Sequence, residues 1–181
     1  YDIFVGYGII TTLAILLLKR LYRPKFFVNF YSPFKLIGLS LVGIFLSFFL
    51  GNFLDLIRFG TQLSWPWQNH NIPYLVKALI AAPIFEEVFF RGCIQTIFWK
   101  HFKSKTKAVL LTLLLFDFGH LSINIKIVSG KTQEISTKMP FLLNSIVFGS
   151  FYFVAGNNIL VPILIHSVDN AVSLSFEASK P

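Results

Sequence analysis

The sequence predicts an all-α integral membrane protein, a polytopic bundle of about six transmembrane helices around a polar intramembrane cavity. The first observation is composition. The 181 residues are 55% hydrophobic and only 13% charged, and they include 22 Phe, which is far more apolar than an ordinary soluble domain. The second is grouping, because the apolar residues fall into segments close to the roughly 20 residues that one helical crossing requires. The third is that four of the eight carboxylates, Glu86, Glu87, Asp117 and Asp169, lie well inside those segments.

Six apolar segments are the candidate spans. They are residues 3–18, 34–57, 73–99, 108–122, 140–156 and 158–176. The first, fourth and fifth are short for a crossing, so five or six spans are expected. No soluble-looking block is long enough to fold alone, which predicts a single domain over residues 1–181. The chain begins at Tyr1 instead of Met, which suggests a trimmed or partial chain.

Charge placement predicts the topology. Nine of the sixteen cations fall in two loops, one after the first segment and one after the third. They are Lys19, Arg20, Arg23, Lys25, Lys35, Lys100, Lys103, Lys105 and Lys107. The positive-inside rule makes both loops cytoplasmic, with both chain ends outside if all six segments cross. The net charge of +8 is then explained by topology and by contact with anionic membrane lipids. Nucleic acid is not an expected partner.

The stretch "APIFEEVFFRGC", residues 82–93, puts three charged residues inside the third segment. Each would cost roughly 2.5–3.5 kcal/mol at the centre of a lipid-facing helix, so they must face protein or water. Glu87 and Arg91 are four residues apart and share a helix face, which predicts an ion pair. Glu86 lies about 100° further round the helix and is left over. It is a candidate general base or acid.

Two later segments supply polar groups that match Glu86. "LLLFDFGHLSIN" carries His120, and "NNILVPILIHSVDNAV" carries His166 and Asn170, which are four residues apart. A lone His in an apolar span is more often a hydrogen-bonded packing residue. Two of them together with an intramembrane Glu favour a chemical site. The lone Cys93 cannot form an intramolecular disulfide and is expected to be a small packing residue.

Three motifs in these segments resemble the signatures of a known family. "EEVFFRG", "FDFGH" and "HSVDN" resemble the EExxxR, FxxxH and HxxxN/D motifs of the CPBP family of CAAX proteases and bacteriocin-processing proteins. That family includes the type II CAAX prenyl endopeptidases. The motifs occur in the family's order on separate predicted helices. The resemblance covers residues 73–176, the expected catalytic core, whereas residues 1–72 match only as generic membrane helices.

The resemblance implies an intramembrane endopeptidase that hydrolyses a peptide bond. Carried over by position, it implies that Glu86 activates water and that His120 helps to hold that water. His166 and Asn170 would stabilise the oxyanion. A carboxylate suits the first task, and an imidazole N–H and an amide suit the last.

Four further residues are expected to support the site. The EExxxR motif gives Glu87 and Arg91 a supporting role. Asp117 and Asp169 are not required by the motifs, and each lies three residues from one of the two histidines. We expect Asp117 and Asp169 to hold the catalytic side chains in place without reacting themselves, or to join neighbouring helices by hydrogen bonds.

No cofactor is favoured, and zinc is the alternative. Glu86, His120 and His166 would be its ligands, because two His and a Glu can leave an open fourth position on the metal. The sequence has no HExxH helix, and Asn170 is a poor zinc ligand. These two observations favour a metal-free mechanism.

Two other functions stay open. One is a catalytically silent membrane interaction or immunity protein, and the other is an ion-coupled transporter, which also uses intramembrane carboxylates and His. For the protease, the expected partner is a peptide or membrane-protein substrate, in CAAX-type or bacteriocin peptide processing or in self-immunity. The frequent Phe, Ile, Lys and Asn are typical of AT-rich coding and suggest a bacterial origin. The expected location is therefore the bacterial cell membrane. The sequence leaves the oligomeric state open.

Overall fold

The computed structural model is mostly helical in the part of the chain that it describes. The described residues are Thr12, Leu16, 32–52, 70–128 and 138–177, and side chains are described for Thr12, Leu16, 32–50, 70–118 and 143–175. Five helices and no strand occur in them, which confirms the all-α class. The first predicted segment, 3–18, lies outside the described residues apart from Thr12 and Leu16.

Helix α1 (Pro33–Ser47) continues through a π-helical turn, Phe48–Asn52. Pro33 lies in its first turn, where the missing N–H costs nothing. Among the described helices, only α1 is both long and apolar enough to cross a membrane, over Pro33–Leu50, and 17% of that window is buried. Phe34 is 85% exposed. An apolar helix with so little burial is suited to contact with lipid.

Helix α2 spans residues 72–102 and carries the EEVFFRG motif. The side-chain oxygen of Asn71 accepts a hydrogen bond from the Tyr74 N–H at 2.9 Å and caps its start. The helix is continuous but alternates between α and π geometry. In order, its parts are Ile72–Val76 (α), Lys77–Ala81 (π), Ala82–Glu87 (α), Val88–Gln95 (π) and Thr96–Phe102 (α). Such wide turns are rare and often occur at functional sites.

Two turns end helices α2 and α4. Helix α2 ends at Phe102, and its C-cap residue Lys103 has a left-handed φ of 53°. Helix α3 (Lys105–Val128) extends beyond the predicted 108–122 at both ends. Helix α4 (Lys138–Val154) and helix α5 (Leu160–Glu177) are joined by a tight turn in which Gly156 has φ 63°. The Asn157 N–H returns to the Tyr152 carbonyl at 2.8 Å, which completes a Schellman-type helix end.

Helices α4 and α5 form the centre of the bundle. Helix α5 packs against α1, α2 and α4, and α4 also packs against α3. The core around them is aliphatic and aromatic, with Val147, Phe148, Phe151, Ala155, Val161 and Ile165 in one buried cluster. This packing places the HSVDN motif of α5 beside the EEVFFRG motif of α2.

The helices coincide with five of the six predicted segments. Besides α1, the shorter apolar stretches are Leu143–Val154 and Leu160–Ser175, in α4 and α5. Whether all of the predicted segments cross the bilayer stays a prediction.

Candidate active site

A fully buried ion pair lies at the centre of the site. Glu87 and Arg91 are both 0% exposed, and Arg91 Nη1 donates to Glu87 Oε1 at 3.0 Å. This is the i, i+4 pair that the sequence predicts, and it is present. Burying either charge alone would be strongly unfavourable, and the pair compensates that cost.

Arg91 also connects α2 to two other helices. Its Nη2 donates to the Ser145 hydroxyl at 2.7 Å and to the Ser145 carbonyl at 3.2 Å, both in α4. The guanidinium carbon lies 4.8 Å from the ring centre of Phe116 in α3 and 5.4 Å from that of Phe148 in α4. Cation–π contact and hydrogen bonding therefore hold the same group from two sides.

His166 of α5 contacts the same carboxylate. Its Nδ1 lies 2.8 Å from Glu87 Oε1, and its ring stacks on Phe148 with centres 4.8 Å apart and planes 18° apart. A carboxylate oxygen accepts, so Nδ1 is the nitrogen that carries the hydrogen. The other nitrogen, Nε2, is then the one available for chemistry.

Glu86 faces that second nitrogen. Its Oε2 lies 3.9 Å from His166 Nε2, and its side chain is 13% exposed. The separation is too long for a direct hydrogen bond but suits one bridging water. The two adjacent glutamates therefore differ: Glu87 is enclosed and bonded to Arg91 and His166, whereas Glu86 lies at the accessible edge.

Asn170 lies one turn after His166 and bonds to the backbone of α2. Its Nδ2 donates to the Ala78 carbonyl at 2.8 Å. Ala78 belongs to the π-helical segment Lys77–Ala81. An amide nitrogen carries two hydrogens, so this contact occupies one of the two donors of the half-buried Asn170.

His120 lies on α3, but its side chain is outside the described residues. Asp117, one turn earlier on α3, is partly buried. The structure thus brings Glu86, Glu87, Arg91 and His166 together and gives no position for the His120 ring. Among the described side chains, no group of three His, Cys, Asp or Glu could hold a metal ion.

Asp169 forms a second polar cluster about one turn further along α5. Its Oδ1 accepts from the Ser47 hydroxyl of α1 at 2.9 Å. The Asn144 amide of α4 donates to both of its carboxylate oxygens, at 2.9 Å each. Asp169 of α5 therefore connects its own helix to α1 and α4.

Sequence reasoning missed Asn144, Ser145 and Ser47 as partners of the buried charges. A signal for two of them exists, because Asn144 and Ser145 form an adjacent polar pair inside the otherwise apolar segment 140–156. Buried polar side chains in such a segment need partners on another helix.

Comparison with known proteins gives one match. A family model described as type II CAAX prenyl endopeptidase Rce1-like matches residues 66–172, more than half of the 181 residues. The match contains all three motifs. No curated protein and no solved structure matches the chain. The chain therefore belongs to the Rce1-like type II CAAX prenyl endopeptidase family, whose members are membrane proteases.

Proposed function

We propose that this chain is an intramembrane endopeptidase in which Glu86 activates the water that attacks the peptide bond. The observation that carries the proposal is the contact between His166 Nδ1 and Glu87 at 2.8 Å. It leaves Nε2 facing the accessible carboxylate of Glu86 at 3.9 Å. A carboxylate and an imidazole nitrogen that are close enough to bind the same water suit the activation of that water.

In the first step, Glu86 takes a proton from water, and the hydroxide oxygen bonds to the carbonyl carbon of the substrate. The carbonyl oxygen becomes negative in the tetrahedral intermediate and needs donors. Glu86 then returns the proton to the leaving amine as the carbon–nitrogen bond breaks. The oxyanion re-forms the carbonyl as the amine leaves, so that one water is consumed and Glu86 ends the cycle as a carboxylate.

His166 and Asn170 are the proposed oxyanion donors. For this role the His166 ring carries hydrogens on both nitrogens, with Glu87 as the counter-charge at Nδ1. Asn170 uses one amide hydrogen on Ala78 and has a second for the substrate. His120 is proposed to help hold the attacking water.

Glu87 and Arg91 hold the site without touching substrate in this proposal. Both are fully buried and bonded to each other. Glu87 accepts a hydrogen bond from His166 Nδ1 and so determines which ring nitrogen faces Glu86. Arg91 bonds to Glu87 and to Ser145 and so keeps the carboxylate in place.

The substrate is proposed to be a peptide or a membrane protein, processed in CAAX-type or bacteriocin maturation or in self-immunity. The protein is proposed to cross a bacterial cell membrane several times, with the site in a polar intramembrane cavity. The exposed apolar surface of α1 and the buried charges near α5 support that arrangement.

The test uses purified protein in detergent and a fluorogenic farnesylated peptide that ends in a CAAX sequence, with an unprenylated copy and a panel of bacteriocin precursor peptides in parallel. We expect cleavage of at least one probe by the parent and loss of cleavage in Glu86→Gln. Glu177→Gln is the matched control, since it makes the same chemical change at the last residue of α5. A Glu86→Gln protein that cleaves at the parental rate would contradict the role of Glu86. If the folded parent cleaves none of the probes, a silent interaction role is favoured instead.

A chelation series separates the two mechanisms. In the metal-free mechanism, activity survives exhaustive chelation, and elemental analysis finds well under one zinc per chain. If zinc is bound by Glu86, His120 and His166, chelation abolishes activity, and His120→Ala loses the metal together with activity.

A further inference from the structure

Helix α1 lies outside the family-matched residues 66–172, yet it packs against the helix that carries His166. A side-chain carbon added at Gly43 of α1 would collide with the side chain of Ile165 and would lie 3.3 Å from Phe151. Ile165 directly precedes His166 and is fully buried. Glycine at position 43 lets α1 approach α5 this closely without displacing the Ile165 side chain.

A buried polar contact reinforces the approach one turn further along α1. The Ser47 hydroxyl, 1% exposed, donates to Asp169 Oδ1 at 2.9 Å. Asn144 of α4 donates to the same carboxylate. In a low-dielectric interior, such bonds are directional and costly to break. Asp169 is therefore held from two helices at once.

From this arrangement we infer that α1 positions His166 through Ser47 and Asp169, so that Ser47 and Asp169 are positioning residues of the catalytic site. The inference rests on the proposed function. His166 and Asp169 are three residues apart, on one side of α5. A rotation of α5 therefore moves both together. At a side-chain radius of about 5–6 Å, a rotation of about 10° moves the ring by about 1 Å.

The contacts around these two residues form a closed circuit. His166 bonds to Glu87, and Glu87 bonds to Arg91. Arg91 bonds to Ser145, whose chain neighbour Asn144 bonds to Asp169. Asp169 returns to His166 along one turn of α5. Ser47 joins this circuit from outside and connects it to α1.

The experiment is a double-mutant cycle on the purified full chain, assayed with the farnesylated CAAX peptide or whichever probe the parent cleaves. Ser47→Ala is expected to lower kcat about 10-fold, and Asp169→Asn about 100-fold, since a misplacement of about 1 Å can cost that much. KM should stay unchanged because neither residue touches substrate. Asp169→Asn has the larger effect because its new amide opposes the amide of Asn144.

The double variant should match Asp169→Asn alone, because the Asn144 amide displaces the new side chain at position 169 and the bond to Ser47 is then already lost. Gly38→Ala is the control on the same helix, because an added carbon there meets nothing within 4 Å, and its kcat should equal that of the parent. Additive losses in the double variant, or an unchanged kcat in Ser47→Ala, would overturn the inference. Ser47→Ala keeps the test decisive if Asp169→Asn does not fold.

A second readout needs no turnover. The ring-nitrogen chemical shifts of ¹⁵N-labelled His166, assigned by difference against His166→Gln, report its bond to Glu87. We expect these shifts to change in Ser47→Ala and to be parental in Gly38→Ala. If Glu86→Gln remains active, the proposed function fails. The shifts then still test whether Ser47 affects the bond between His166 and Glu87. Parental shifts in Ser47→Ala would overturn the positioning role alone.

Discussion

The enclosed cluster around Glu87 and the accessible edge around Glu86 are next to each other in sequence but differ in their surroundings. Glu87 is fully buried and bonded to Arg91 and His166. Glu86 is partly exposed and faces the free side of the same His166 ring at 3.9 Å. This difference supports the proposal that Glu87 holds the site together and that Glu86 reacts.

The largest expected effect separates the two glutamates directly. Glu86→Gln should lower kcat by about 10²–10⁴-fold, the usual contribution of a general base, with the melting temperature preserved. Glu87→Gln should lower both kcat and stability, because it leaves the buried Arg91 without its counter-charge. Turnover and thermal unfolding of the two variants are measured side by side. Equal losses of stability would remove the contrast.

Arg91→Ala should destabilise the protein by about 3–5 kcal/mol, because it strands the buried carboxylate of Glu87. Arg91→Met combined with Glu87→Gln should recover part of that loss, since no charge is then stranded. Unfolding in a denaturing detergent, followed by Trp fluorescence, measures both. An Arg91→Ala variant as stable as the parent would show that the Glu87–Arg91 pair does not stabilise the site.

Asn170→Ala should lower kcat by about 10²–10³-fold through loss of an oxyanion donor. KM should change little, because the donor acts on the transition state, and the melting temperature should fall slightly because the bond to the Ala78 carbonyl is lost. The competing role is the bond to the Ala78 carbonyl alone. That role predicts a lower melting temperature with an unchanged kcat per folded molecule, so steady-state kinetics on the folded fraction decides between them.

The smallest expected effect concerns packing beside the enclosed cluster. In Gly149→Ala the new carbon would lie 2.7 Å from Gln95 Oε1 and 3.3 Å from Val109. Crowding of this kind costs about 1–3 kcal/mol. The control Gly38→Ala has open space and should be neutral or slightly stabilising. If thermal unfolding gives the two alanine variants equal stability, α2 and α4 are less tightly packed than described.

Hydropathy predicted the helices well, because a chain in lipid must be apolar around much of each helix. It predicted the ends less well, as in α3, which continues from Lys105 to Val128 through polar residues beyond the apolar segment 108–122. Helix ends depend on caps and on contacts with other helices. Average hydropathy reports neither caps nor contacts between helices.

The local pair Glu87 and Arg91 was predictable because helix geometry alone brings residues i and i+4 together. The contact of His166 with Glu87 was not, because it depends on how α5 rotates against α2. The same holds for Ser145 and Ser47, which are ordinary small polar residues until packing gives them a charged partner. Sequence patterns thus identified the candidate reactive groups and the Glu87–Arg91 pair, but not the small polar residues of other helices that bond to the buried charges.

The π-helical segments of α2 have an evolutionary consequence. Each contributes a backbone carbonyl that accepts a side-chain donor: Ala78 receives the Asn170 amide, and Arg91 receives the Thr96 hydroxyl at 3.2 Å. A carbonyl is present whatever residue occupies the position. Position 78 can therefore drift among residues of suitable size without losing its half of the bond, whereas position 170 cannot. Selection on this helix-to-helix contact falls on one partner only.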